Sequence, residues 1–375
     1  MKVSIVTPSF NQAKYLPRTL GSVGGQTYLD VEHIILDPGS RDDSREIILQ
    51  HSKAYPSVRF VDEPDDGQVD AINKGLRLAK GEVVTWLNSD DYYVDTDVIR
   101  SVVDVFIANP TVDVVYGKGH YVDQDGKFLK AAFVTPREGE FVSSLANSIG
   151  ILQPALFFRR KVFESLGGLD PTYNLSLDYE YWLRMAFAGC RFKFLDRELT
   201  AATLHADSKT VGQRGKQYAE ICQLMQSYYG MVGEAWIRRF ADFLLNGSDG
   251  ILRTESTRSP ALEAVEERLW RKYNLSPSAL YSSLVNAPAN SAAIFARWKK
   301  AGGLDTQCVV LTTASAEYFV QLMTLIAGIH RTSVGAVSSI VVFDLSLSDR
   351  QRQELFQLDR VIVLPYPRRE KLFDG

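Results

Sequence analysis

The stretch Val83-Val84-Thr85-Trp86-Leu87-Asn88-Ser89-Asp90-Asp91 decides how the chain is read. A run of apolar and β-prone residues stops abruptly at an amide, a hydroxyl and two adjacent carboxylates. A strand ending in paired acids puts negative charge at the carboxyl edge of a sheet, where open α/β sheets place their ligands. Carboxylate oxygens there suit a hard cation, Mg²⁺ or Mn²⁺, and through it a phosphate. The same residues also read as a turn and a helix cap, because a helix opens near Asp97. The acids by themselves leave both readings open.

Working outward toward the N-terminus, the pattern repeats. Residues 2–7 (KVSIVT) read as a buried strand stopped by Pro8, and a helix follows over 15–23. Residues 31–36 (VEHIIL) form a second strand ending in Asp37-Pro38-Gly39-Ser40, then a helix from Asp42 to about His51 with acids in its first turn. A short strand at 58–61 runs into Asp65-Asp66-Gly67-Gln68, and a helix over 69–79 ends with Gly81 as its C′ residue. Strands alternating with helices predict a mainly parallel sheet. No Gly-x-Gly-x-x-Gly follows the first strand and no Gly-Lys-Ser/Thr loop occurs, so the usual dinucleotide and P-loop readings fail. Each strand end is instead polar: Thr7, Ser9 and Asn11, then Asp37, then Asp65 and Asp66, then Asp90 and Asp91. A set of four is harder to explain as turns than any one of them.

Downstream, a helix is expected over 97–108, strands at 112–116 and 153–158, and a hairpin around Asp125-Gly126. Helices follow at 161–166 and 177–188, the second with Asp178 in its first turn, then a strand at 191–195 and a polar loop over 205–210. The first domain spans 1–214 on this reading, and a helical connector spans 215–304. From 305 to 375 three strands, one ending at Asp344, and two helices begin a second α/β unit. Three strands are thin for a core, so a further domain of a longer chain is expected there.

Composition narrows the class. The 375 residues are 45% hydrophobic and 23% charged, as in globular proteins, and the net charge of −3 excludes a basic field for nucleic acid. Cys190, Cys222 and Cys308 form neither a CxxC pattern nor a disulfide framework. With no signal-peptide pattern and no apolar run of membrane-spanning length, a cytoplasmic location is expected, with peripheral contact at the inner face of the cell membrane left open.

Six ordered pieces resemble glycosyltransferase family 2: KVSIVTPSFNQAKYL (2–16), QTYLDVEHIILDPGSRDDS (26–44), EPDDGQVDAINKGLRLAKGEVVTWLNSDD (63–91), QPALFFRRKVFESLGGLD (153–170), LDYEYWLRMAFAG (177–189) and LHADSKT (204–210). The resemblance covers about residues 1–210. It implies a GT-A fold, a Rossmann-like, mainly parallel α/β sheet flanked by helices. It implies Asp90 and Asp91 as the acids that hold Mg²⁺ or Mn²⁺ on a donor diphosphate, with Asp91 the more direct ligand, Asp90 leaning toward the ribose, and His205 as a further metal or diphosphate contact. Thr7, Ser9, Asn11, Asp37 and Asp65 would line the nucleotide pocket, with Gln68 and Asn88 beside them. Asp178 would be the general base of an inverting transfer, with Glu180 as the fallback. Two positions depart from the family pattern. Asn88 stands where many members carry an acid, and Pro38 stands where many carry a second Asp.

The expected donor is a nucleotide sugar, a UDP-sugar first, and the expected acceptor a saccharide or lipid-linked saccharide in surface polysaccharide synthesis. Two rivals remain at this stage. A nucleotidyltransferase would want a Gly-rich basic loop after the first strand, which PSFNQAKY is not. A non-catalytic nucleotide-sugar-binding module would explain Asn88 by lost activity. The extreme C-terminal pattern faintly resembles the start of a second transferase domain.

Overall fold

The computed structural model describes residues 1–136, 145–146, 148–205, 208, 212–229, 232–247, 259–273, 308–315, 322–323, 326, 337–358 and 361–365. Most of the expected loop over 205–210 lies outside them, as does most of the first of the two helices expected after residue 305, which spans 318–329 in the sequence pattern. The chain divides into two compact units, Met1–Ser144 with Ile149–Gln217, and Leu145–Ser148 with Tyr218–Gly375.

In the first unit the alternation of strand and helix follows the alternation of buried runs and amphipathic stretches. The order begins β1 (Val3–Pro8), α1 (Leu16–Gly24), β2 (Val31–Leu36), α2 (Ser44–Ala54), β3 (Val58–Val61), α3 (Gln68–Leu78) and β4 (Val83–Trp86). It continues with β5 (Tyr92–Tyr93), α4 (Val98–Ala108), β6 (Val114–Val122), β7 (Phe128–Ala131), β8 (Leu156–Arg159), α5 (Arg160–Leu166), α6 (Leu177–Phe187) and β9 (Phe192–Thr203). The strands lie in the order β3-β2-β1-β4-β8-β6-β9-β5, with β7 pairing β6. The first four strands are parallel, β8 runs antiparallel to β4 and β6, and β6 and β9 are parallel again.

Every residue of β1 and β4 is buried, as expected of strands covered on both faces. Side chains alternate between the faces. Val3, Ile5 and Val83 pack with Val98, Ile99, Val102 and Phe106 of α4, and Ile35 packs with Leu16, Leu20 and Ile48 of α1 and α2. On the other face Gly75 of α3 lies against Val6 and Leu36. There Trp86 stacks on Trp182 of α6, with ring centroids 5.4 Å apart.

Local differences from the sequence reading have physical causes. Pro8 ends β1 instead of stopping it. Even-numbered residues of β1 face β4, whose pairing ends at Val6↔Trp86, so the missing N–H of Pro8 breaks no ladder bond. Gln153 is not in a strand: Gln153–Ala155 form a 3₁₀ turn, and β8 starts only at Leu156. Pro154 in that turn has no N–H to give a ladder. The strand expected at 191–195 runs on to Thr203, and that at 112–116 on to Val122, because each is the other's parallel partner. Gly81 is not a helix C′ residue. Helix α3 ends at Ala79 in an extended conformation, and the Gly81 N–H donates to Ser4 Oγ at 2.7 Å. A Cβ on Gly81 would lie 2.6 Å from the Ser4 backbone nitrogen, so close approach to β1 is what demands glycine.

The second unit takes over within α7 (Arg214–Tyr229), followed by α8 (Glu234–Asn246) and α9 (Pro260–Tyr273). Tyr218 stacks on Phe240 at 5.4 Å, and Gln226 donates to the Tyr273 carbonyl. Three parallel strands, β10 (Cys308–Ser315), β11 (Val337–Ser346) and β12 (Val361–Pro365), form its sheet, with α10 (Asp349–Phe356) between the last two. Arg350 of α10 lies over the Trp270 ring at 4.5 Å. Among the described residues no helix is long and apolar enough to cross a membrane.

Gly81→Ala should destabilise the chain by about 2 kcal/mol in chemical denaturation, because backbone atoms cannot yield to the added methyl. Gly21→Ala in α1, where a Cβ would meet nothing within 4 Å, should be neutral or stabilising in the same measurement.

Candidate active site

Strand β4 delivers Asn88-Ser89-Asp90-Asp91 to the carboxyl edge of the sheet. The turn is closed by the Asp91 N–H on the Asn88 carbonyl at 3.1 Å. The Thr19 hydroxyl of α1 lies 2.8 Å from both the Ser89 and the Asp91 carbonyl oxygens and so pins the turn from below. Asp91 is buried. Its carboxylate accepts from the Thr203 N–H at 3.0 Å and from the Asn88 amide at 3.3 Å. Burial pushes its pKa well above the usual carboxylate range, and the negative charge of Asp90 pushes it further. Asp90 is more open, and its Oδ2 lies 3.0 Å from Nε2 of His205. The His205 ring stacks on Tyr15 at 4.6 Å.

These residues fit a divalent cation. Two neighbouring carboxylates, one of them buried with only two donors, gain most from a positive charge between them. Among the described residues, no three His, Cys, Asp or Glu side chains gather closely enough to hold a metal by themselves. Mg²⁺ sites commonly use one or two carboxylates plus phosphate oxygens, so an acid pair of this kind suits a phosphate-bound cation.

Beside the acids lies a polar cradle built by the loops after β1 and β2. Asp37 is buried and accepts from the Gly39 N–H at 3.0 Å, the Ser40 N–H at 2.7 Å and the Ser40 hydroxyl at 2.6 Å, with Ser9 Oγ at 3.3 Å. Asn11 takes a left-handed conformation (φ 54°), which Asn tolerates better than most residues. Its N–H donates to Ser40 Oγ and its side-chain oxygen accepts from the Arg41 N–H, both at 2.8 Å. Asp65 accepts from the Gly67 N–H at 2.9 Å. Burial raises its pKa, and the charges of Asp70 and Asp37 add to the rise. Thr7 is set back from this cradle. It is fully buried, with its hydroxyl 2.9 Å from Nε2 of His33, whose own pKa burial lowers to about 3.

Gln68, at the start of α3, reaches Asn88 at 3.0 Å. Asn73 and Lys74 are structural. Asn73 exchanges bonds with the backbone of Leu169, and Lys74 holds the Pro64 carbonyl and Asp70, each at 2.7 Å.

Asp178 opens α6 on the same face as Trp182, one turn nearer the helix start. The Trp182–Trp86 stack therefore ties the helix that carries Asp178 to the strand that carries the acids. Burial raises the Asp178 pKa, opposed by the Tyr179 N–H bonded to it at 2.8 Å. Tyr121 of β6 reports the convergence. Burial raises its phenol, Arg214 lowers it, and Asp178 and Asp91 both raise it, so both carboxylates lie within electrostatic reach of one hydroxyl. Glu180 is buried in a pair with Arg184, which also holds the Leu166 and Gly168 carbonyls. Glu180, Trp182 and Arg184 serve the packing of α6.

Thr203, Thr19, Tyr15 and Tyr121 were not among the sequence-level candidates. Thr203 and Tyr121 lie beyond the runs that read as strands, and Thr19 and Tyr15 lie in a helix pattern. The register of β6 beside β9, with Tyr121↔Ala202 and Val122↔Thr203, brings Tyr121 and Thr203 to the acids.

Residues 4–167 match the family model described as "Glycosyl transferase family 2". The chain is 31% identical over 235 residues to an uncharacterized glycosyltransferase of Nostoc sp., an alignment covering 59% of this chain and 72% of that protein. It is 28% identical over 215 residues to a hyaluronan synthase of Pasteurella multocida, covering 57% of this chain and 22% of that protein. It is 26% identical over 209 residues to a chondroitin synthase of Escherichia coli, covering 56% and 30% respectively. The chain thus spans about a fifth to a third of the length of those two synthases. The fold is similar to S. aureus TarS 1–349, solved in complex with UDP-GlcNAc, at TM-score 0.53 and 17% identity over 80% of this chain and 88% of that one. The sheet with its flanking helices is of the GT-A type, and the chain belongs to glycosyl transferase family 2. The family match stops at residue 167 and lends no support to a second transferase unit at β10–β12.

The buried acid gives a test on the metal-free protein. A carboxyl whose pKa is raised on folding loses stability as pH rises through that raised value and recovers it toward the unfolded value of about 4. Asp91→Asn should therefore raise the melting temperature of metal-free protein at pH 7.5, and the gain should shrink as pH falls toward 4.

Proposed function

We propose that this chain is a metal-dependent, inverting glycosyltransferase that moves a sugar from a nucleotide-diphosphate donor to a saccharide or lipid-linked acceptor in polysaccharide synthesis. The observation that carries the reading is geometric: β4 leads into the Asp90–Asp91 turn, and Trp86 at the end of that strand stacks on Trp182, one helical turn from the half-buried Asp178. Family membership supports the reaction class. The names of the Pasteurella and Escherichia relatives support a saccharide acceptor.

On this reading the cradle of Ser9, Asn11, Asp37 and Asp65 receives the nucleoside, with UDP the first to test. Thr7 is buried outside that cradle, its hydroxyl paired with His33. Asp90, Asp91 and His205 form the diphosphate end, where they would hold Mg²⁺ or Mn²⁺. When bound, the cation supplies positive charge that favours departure of the diphosphate. Asp178 accepts the proton of the acceptor hydroxyl as its oxygen bonds to the anomeric carbon. The bond from that carbon to the diphosphate oxygen breaks with its electron pair leaving on the nucleotide. One displacement with one base inverts the anomeric centre.

A carboxylate in water is too weak a base to work well near neutrality, and burial moves Asp178 in the useful direction. The acidic limb of the rate profile should accordingly lie above the ordinary carboxylate range.

Asp178→Asn separates a transferase from a binding module. Transfer should fall by a factor of ~100 or more, the usual contribution of a positioned base. Nucleotide affinity, read by calorimetry, should change less than threefold. Full transfer activity in this variant would remove Asp178 from the role.

A further inference from the structure

Asn88 occupies the position that departs from the family pattern, and its bonds give the departure a cause. Three amide side chains and the Asp91 carboxylate form one directed hydrogen-bond network. Gln153 Nε2 donates to the Trp86 carbonyl at 2.9 Å. A backbone carbonyl can only accept, so the Gln153 amide is fixed with its oxygen pointing the other way. That oxygen accepts from Asn88 Nδ2 at 3.0 Å, and the same Nδ2 reaches Asp91 Oδ2 at 3.3 Å. Asn88 Oδ1 must then face outward, where it accepts from Gln68 Nε2 at 3.0 Å. Acceptors at both ends, the Trp86 carbonyl and the Asp91 carboxylate, determine every amide between them.

A carboxylate at position 88 cannot fill this place. One of its oxygens would face the Gln153 oxygen and the Asp91 carboxylate, with no proton to share. If Gln153 turned over to offer its NH₂ group, its oxygen would face the Trp86 carbonyl instead. One acceptor, partly or fully buried, is left unsatisfied either way. The 3₁₀ turn at Gln153–Ala155 is what brings this glutamine to the end of β4, so the altered motif and the turn belong together.

We propose that Asn88 is a positioning residue and not a ligand of donor or metal. Its amide, oriented by Gln153, holds the Asp91 carboxylate toward the cation and links it to Gln68 at the start of α3. The inference rests on the reading of Asp91 as a donor-metal acid. It adds that position 88 must be an amide because residue 153 is a glutamine anchored on Trp86.

The test is Mn²⁺ affinity of the full chain in the presence of UDP, measured by calorimetry for wild type, Asn88→Asp, Gln153→Ala and the double variant. Asn88→Asp should weaken Mn²⁺ binding about tenfold although it adds a carboxylate. In the Gln153→Ala background the same change should cost less than threefold, because the opposed oxygen is gone. Gln153→Ala alone should weaken Mn²⁺ several-fold while touching neither metal nor nucleotide, which keeps the proposal testable if Asn88→Asp does not fold. Tighter Mn²⁺ binding in Asn88→Asp, or the same loss in both backgrounds, would overturn the proposal and make position 88 a direct ligand site. Wild-type protein that binds neither Mn²⁺ nor UDP would instead overturn the underlying reading of Asp91.

Discussion

A carboxylate buried at the end of a central strand is the constraint around which the first unit is arranged. Isolated, an ionised Asp91 would cost several kcal/mol to bury, and the usual escape is protonation. Among the described residues it accepts from the Thr203 N–H and the Asn88 amide, and burial still raises its pKa. Neighbouring Asp90 raises it further. A site that gathers negative charge in this way is prepared for a cation. Asn88 limits the repulsion by being neutral where a third acid would add to it.

The same strand end organises the other half of the chemistry. Trp86 closes β4 with its ring on Trp182, and the face of α6 that carries Trp182 also carries Asp178 one turn earlier. Glu180 and Arg184 pair with each other, and Arg184 also donates to the Leu166 and Gly168 carbonyls, which anchors the helix. Asp178 and the acid pair are thus held by rigid elements, and the charges of Asp178 and Asp91 both raise the Tyr121 phenol. The polar cradle at β1 and β2 is tied mostly to itself, through Ser40, Asp37 and Asn11, so its shape is set before any ligand arrives.

Much of this was legible in the chain itself because buried parallel strands write their ends plainly. The runs at β2 and β3 end in Asp37 and in the Asp65 turn, and β4 leads into the acids, so their place at the sheet edge followed from the alternation alone. What periodicity could not reveal was anything set by long-range register. Thr203 and Tyr121 reach the site because β6 and β9 pair over their full length, well beyond the five-residue runs that read as strands. Thr19 looks like an ordinary polar helix residue until its hydroxyl is seen under the acid turn. Gln153 reads as strand until Pro154 is seen to give the segment no ladder donor, and Gly81 reads as a helix stop because its contact lies across the sheet at Ser4. Asn88 appeared as a defect in a motif. Its bonds to Gln68, Gln153 and Asp91 show a closed hydrogen-bond pattern that no single stretch of sequence contains.

Among the described residues the acid pair has too few neighbouring ligands to hold a cation tightly without the donor diphosphate. The most direct measurement is Mn²⁺ binding to the full chain, followed by electron paramagnetic resonance of free Mn²⁺, with and without UDP. Binding should be weak alone and at least tenfold tighter with UDP, and UDP should bind correspondingly more weakly in chelator. Mn²⁺ affinity that ignores UDP, or UDP affinity that ignores chelator, would contradict the account.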